Sequence, residues 1–82
     1  MENLESKTIR ELARIIQDDW SSVSDTARHY LDAMFNLDSV NDRVGMDSGF
    51  GIVGYFLANS HGWKSDIAKA VKKELKKRTQ MP

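Results

Sequence analysis

The chain has no cysteine. That excludes disulfides, thiolate-held zinc, iron–sulfur clusters and thiol catalysis. A disulfide-free small domain fits a reducing cytosol, so a cytoplasmic location is the expectation. No apolar run approaches the length of about 20 residues that spans a bilayer. Met1-Glu2-Asn3-Leu4-Glu5 is acidic and lacks an apolar segment, so it does not read as a secretory signal. No glutamate lies between Glu11 and Glu74, and the single proline is Pro82, in the tail. No internal repeat is present, and no strand-like alternation persists beyond a few residues.

What is there is helical patterning. Thr8-Ile9-Arg10-Glu11 matches a capping box, in which side chain and backbone of Thr8 and Glu11 bond reciprocally. Ile9, Leu12, Ala13, Ile16 and Trp20 follow on one face, predicting a helix over 8–20. Ser22 or Ser24 can cap a second helix over 24–36, carrying Val23, Ala27, Tyr30, Leu31 and Met34 on one side. Residues 37–47 form the longest irregular stretch. Ser39 to Asp42 can start one helical turn ending at Gly45, with Val44 and Met46 dipping into the core.

Asp47 or Ser48 can cap a third helix over 49–60, whose face of Ile52, Val53, Phe56 and Leu57 is widened by Phe50 and Tyr55. This reads as the most buried element. Its three glycines lower helicity by roughly 1 kcal/mol each, which tertiary packing must offset. Gly62 suits a left-handed helix end. Ser65 can cap a fourth helix over 65–78, with Ile67, Ala70, Val71 and Leu75 on one side. The fold class expected is all-α: a compact single domain, residues 1–82, of about four short helices. Residues 1–7 and 79–82 are expected to be frayed tails. Helices this short are marginal alone and must bury their stripes against one another.

Charge is strongly polarised along the chain. Residues 64–82 hold seven basic groups against two acidic ones, a net +5, while residues 1–63 hold five against ten, a net −5. Lys69, Lys72, Lys73, Lys76 and Lys77 form the candidate surface for an anionic partner. The plainer reading is a solvated face whose charges suit the helix dipole. Only Arg78 represents arginine there, and no aromatic interleaves the lysines to stack on bases. Trp20, Phe35, Tyr55 and Trp63 are the candidate protein-contact aromatics, with core packing the ordinary fate of both tryptophans.

Other motifs carry less. Gly49-Phe50-Gly51-Ile52-Val53-Gly54 spells a dinucleotide string, but polar turn-formers precede it where a strand is required. Small residues that let another helix approach closely, or a flexible helix entry at Gly49 and Gly51, are the simpler accounts. Asp38, Asp42 and Asp47 lack the alternate oxygen ligands and closing glutamate of a calcium loop, so capping is expected of them. Ser60, His61 and Asp66 do not make a catalytic set, because neighbours along a helix do not face each other. The first two helices have the flavour of a helix-turn-helix, with an acidic turn and a second helix poor in phosphate contacts. No catalysis, cofactor or metal is expected.

The strings Asp19-Trp20, Tyr30-Leu31-Asp32-Ala33-Met34, Tyr55-Phe56-Leu57-Ala58-Asn59, Trp63 and Ala70-Val71-Lys72-Lys73-Glu74-Leu75-Lys76 resemble a group of small bacterial proteins, some borne on mobile elements. That resemblance implies a compact bacterial helical protein and no particular activity. The function expected is a small protein-interaction or accessory domain. The alternative is a nucleic-acid-associated protein using the lysine-rich helix.

Overall fold

A computed structural model describes residues 3–80. Four helices dominate: α1 (Ile9–Asp19), α2 (Asp25–Met34), α3 (Gly49–Ala58) and α4 (Asp66–Thr79). A short antiparallel pair, β1 (Arg43–Val44) and β2 (Asp47–Ser48), lies between α2 and α3. The radius of gyration, 11.5 Å, matches the roughly 12 Å expected of a compact chain this long.

Each helix begins where a side-chain oxygen replaces a missing carbonyl. Thr8, Ser24, Ser48 and Ser65 accept from the amides of Glu11, Ala27, Gly51 and Ala68. Thr8 and Glu11 form the full capping box, with the Glu11 carboxylate accepting from the Thr8 amide at 2.8 Å. Those bonds from Thr8 hold the Glu11 carboxyl below the ordinary glutamate range, with Lys7 adding a smaller pull.

The core is one cluster drawn from all four helices and the loop before β1. Ile9, Leu12, Ile16, Leu31, Met34, Leu37, Val53, Phe56, Val71 and Leu75 are fully enclosed. Trp20 stacks on Trp63 at 5.9 Å between ring centroids, and Phe56 meets both rings edge-on.

The structure corrects the sequence reading in four places. Residues 4–6 of the supposed frayed lead-in form a 3-10 turn, because the Arg78 guanidinium donates to the Leu4 carbonyl at 2.8 Å and Leu4 packs on the core. At the other tail Thr79 ends α4 and Gln80 caps it, while residues 1, 2, 81 and 82 lie outside the described residues. The 37–47 stretch contains a hairpin. Gly45 has φ 61° and Met46 does not share a positive φ, the sign pattern of a type II′ turn. Met46 therefore sits at the hairpin tip, 94% exposed, rather than in the core. Gly62 is not left-handed. The last carbonyls of α3 are taken up instead by the Asn59 side chain on Tyr55 and the Ser60 hydroxyl on Leu57. Lastly, Tyr55, expected to widen the buried face of α3, is 61% exposed.

The helical glycines divide sharply. A Cβ on Gly49 would lie 2.6 Å from the Val40 carbonyl oxygen, so this helix start touches backbone that only glycine admits. A Cβ on Gly54 would meet nothing within 4 Å. Gly54→Ala is expected to stabilise the fold by about 0.5–1 kcal/mol through helix propensity alone. Gly49→Ala is expected to destabilise it by about 1–3 kcal/mol through overpacking. Urea unfolding midpoints should move in opposite directions, and equal shifts would refute this division.

A pH dependence follows from Glu11. Its pKa is lowered on folding, so its contribution is present above the unfolded carboxylate range and lost as pH falls through the folded value. Wild type should lose stability relative to Glu11→Gln on acidification below about pH 4. Parallel unfolding curves across that range would contradict the capping role of the carboxylate.

Candidate functional site

The four candidate aromatics do not form one surface. Trp20 and Trp63 are 7% and 2% exposed and pack on each other, so neither offers a contact face. The Trp63 indole N–H is also committed, donating to Asp19 Oδ2 at 2.7 Å. Phe35 is half-buried against the core at the end of α2. Tyr55 alone projects, stacked on half-buried Tyr30 at 5.3 Å and 24° between ring planes.

Around that tyrosine pair lies a groove of about 360 Å³, lined by Tyr30, Met46, Asp47, Ser48, Gly51, Ile52 and Tyr55. It runs from the hairpin tip onto the outer face of α3. That face is built from Gly51, Gly54, Tyr55 and Ala58, at helical spacing i, i+3, i+4 and i+7. None of the four is charged. The other helices turn charges to solvent: Arg10, Glu11 and Arg14 on α1, Asp25, Arg28 and Asp32 on α2, and lysines on α4. The sequence did carry this signal, since no charged residue occurs from 49 to 63. Any face that α3 leaves exposed has to be uncharged. What sequence could not show was that such a face exists, or that Met46 stands beside it.

The lysines of α4 separate into three groups. Lys72 turns inward. Its ammonium donates to the Ser60 carbonyl at 2.7 Å and the Trp63 carbonyl at 2.5 Å, and lies 5.8 Å from the centre of the Trp63 ring. Burial holds its pKa below the ordinary lysine range, with the charges of Lys76 and Lys64 adding to the effect. Lys77 pairs with Glu5 at 3.1 Å, while Arg78 pairs with Glu74 at 2.7 Å beneath the N-terminal turn. Lys69, Lys73 and Lys76 are exposed, with no hydrogen bond or ion pair among the described residues. At 100° per residue the three lie within about 60° of arc, opposite buried Ala68, Val71 and Leu75. A volume of about 580 Å³ along this side is lined by Lys69, Lys72, Lys73, Lys76, Lys77 and the C-cap Gln80. It is the space between neighbouring side chains, not a cavity that the fold encloses.

The remaining polar groups are structural. Asp42 Oδ2 accepts from the amides of Asp38 and Ser39, and Asp38 pairs with Arg10 at 3.1 Å. Ser60 is buried, with its hydroxyl donated to Leu57. Among the described residues, no three His, Asp or Glu side chains lie close enough to share a metal ion, and no helix is long and apolar enough to cross a membrane.

Comparison of the chain with protein-family models, with curated proteins and with solved structures returns no match.

The role given to Lys72 is directly checkable. Lys72→Met keeps the aliphatic stem and removes the donor to two carbonyls. It should cost about 1–3 kcal/mol of stability. Lys73→Met, at an exposed and unpaired position, should cost less than about 0.5 kcal/mol. Equal thermal midpoints for the two variants would show that Lys72 is only another surface lysine.

Proposed function

We propose that this domain works by binding another polypeptide, through the outer face of α3 and the tip of the adjoining hairpin. The observation that carries the reading is the uncharged stripe Gly51, Gly54, Tyr55 and Ala58 in a chain whose other helices all expose charges. A solvent-facing helix surface normally carries polar groups. An uncharged one edged by an exposed methionine and a tyrosine pair, with the single carboxylate of Asp47 on its hairpin side, has the composition of an interface core with a polar rim, where aromatics and Met are enriched and charges depleted. Tyr55 supplies the amphipathic anchor. Met46, flexible and polarizable, adapts its shape to a partner. Glycines at 51 and 54 leave room for a partner backbone to approach closely. The reading invokes no catalysis.

Affinity capture with wild type and with the Met46→Ser/Tyr55→Ser double variant tests this. Met46 makes no core contact and Tyr55 gives up only its stack on Tyr30, so the fold should persist with a modestly lowered melting temperature. A polypeptide retained by wild type should bind the variant at least about tenfold more weakly, the scale of losing one interface anchor. Equal retention by the two proteins, or no specific retention by wild type, would overturn the reading.

A further inference from the structure

The partition of the α4 lysines points to a second surface, independent of the α3 face. We infer that Lys69, Lys73 and Lys76 contact the phosphate backbone of a nucleic-acid duplex without reading its sequence.

Counting charges along the chain treats five lysines as equivalent. The fold does not. Lys72, on one margin of the stripe, is spent on the Ser60 and Trp63 carbonyls. Lys77, on the other margin, is partly neutralised by Glu5. The three between them stand free on the side of the helix away from the core. Glu74 is turned under Arg78, and exposed Asp66, at the N-terminal end, is offset by exposed Lys64. The exposed side therefore presents cations with no net acidic counterweight.

Spacing and residue type select the partner. Lys69 to Lys76 spans about 10 Å along the helix axis, at 1.5 Å per residue. One strand of a duplex places a phosphate every 3.4 Å along its axis, so that length covers about three phosphates. Lysine acts on phosphate as a point charge and needs no bidentate fit, whereas carboxylate recognition favours the planar fork of arginine. The only arginine of α4, Arg78, faces inward on Glu74 and the Leu4 carbonyl. No aromatic shares the stripe, and the nearby Trp63 is buried. Base stacking, the usual means of holding a single strand, is missing, which favours a duplex held by its backbone.

The prediction is numerical. Three phosphates give a slope of log affinity against log salt of about −2.7, whereas five would give about −4.5. Between about 50 and about 200 mM salt, binding of a mixed-sequence DNA duplex should therefore weaken by about 40-fold rather than about 500-fold. Fluorescence anisotropy reads this directly. Lys69→Glu/Lys73→Glu/Lys76→Glu should abolish binding while leaving the circular dichroism and thermal midpoint of the fold in place. Glu5→Gln/Lys77→Gln, which removes the ion pair with no change in net charge, should change affinity by less than about threefold. Poly-glutamate titrated in parallel should compete weakly or not at all. No duplex binding at about 50 mM salt, undiminished binding by the triple variant, a slope near the five-phosphate value, or tighter binding of poly-glutamate than of duplex would each overturn the inference.

Discussion

Asp19 ends α1 with its carboxylate at the pole of the helix dipole that disfavours a negative charge. It is nevertheless the junction on which the fold depends. Its Oδ2 accepts from the Trp63 indole at 2.7 Å and from the Ser65 hydroxyl. Ser65 in turn caps α4 through the Ala68 amide. One carboxylate thus joins the end of the first helix to the start of the last, across 46 residues of sequence. The N-terminal end of α4 is an environment that favours an anion, which offsets the poor position at the end of α1. The same junction orients Trp63, so that its ring lies flat on Trp20 and edge-on to Phe56. Two indoles and a phenyl ring bury much of the apolar area that a chain this short can gather.

Lys72 closes the same junction from the other side. In the turn between α3 and α4 the Ser60 carbonyl accepts from the Trp63 amide at 3.0 Å, and the Lys72 ammonium adds a second bond to it and takes up the Trp63 carbonyl as well. This ties charge distribution to folding. A lysine that reads as one of a solvated row is part of the packing, and without it the Trp63 carbonyl would lose its donor. Arg78 acts similarly at the far end, reaching the Leu4 carbonyl and pairing with Glu74. The basic helix is therefore anchored by two of its own cations, Lys72 from its middle and Arg78 from its last turn.

The parts of the fold legible in the sequence are those set by local chemistry. The Thr8 capping box, the serines at 24, 48 and 65, and the 3.6-residue apolar periodicity act within one turn of chain, and each helix begins where they place it. What could not be read depended on distant segments. The hairpin has strands of two residues each, too short for alternation to register, although Gly45-Met46 supplies its turn. Gly62 suits a left-handed cap by sequence, but Asn59 and Ser60 side chains answer the same carbonyls first. The burial of Trp20 and Trp63, and the difference between a latched Lys72 and a free Lys73, rest on contacts made by other elements. For the candidate surfaces, sequence marked the basic helix and Tyr55, and both are exposed in the fold. It could not separate free from occupied lysines, nor bring Met46 and Tyr30 to Tyr55.

The glycines of α3 bring these points together. Gly49 has a reason within the fold, since the Val40 backbone fills the space where a side chain would begin. Gly54 has none: the space above it is open and its backbone is helical, so alanine would serve the fold better by roughly 1 kcal/mol. In a domain of this size that is an appreciable share of the total stability. A residue that breaks a local rule without an internal gain marks a place where the requirement comes from outside the chain's own packing. Gly54 lies in the middle of the uncharged stripe beside Tyr55, where a bulkier or charged side chain would obstruct an approaching backbone. The weakness of α3 as an isolated helix and the smoothness of its outer face are two consequences of the same substitution pattern. On the proposed reading, a partner docking on this face is what makes both advantageous.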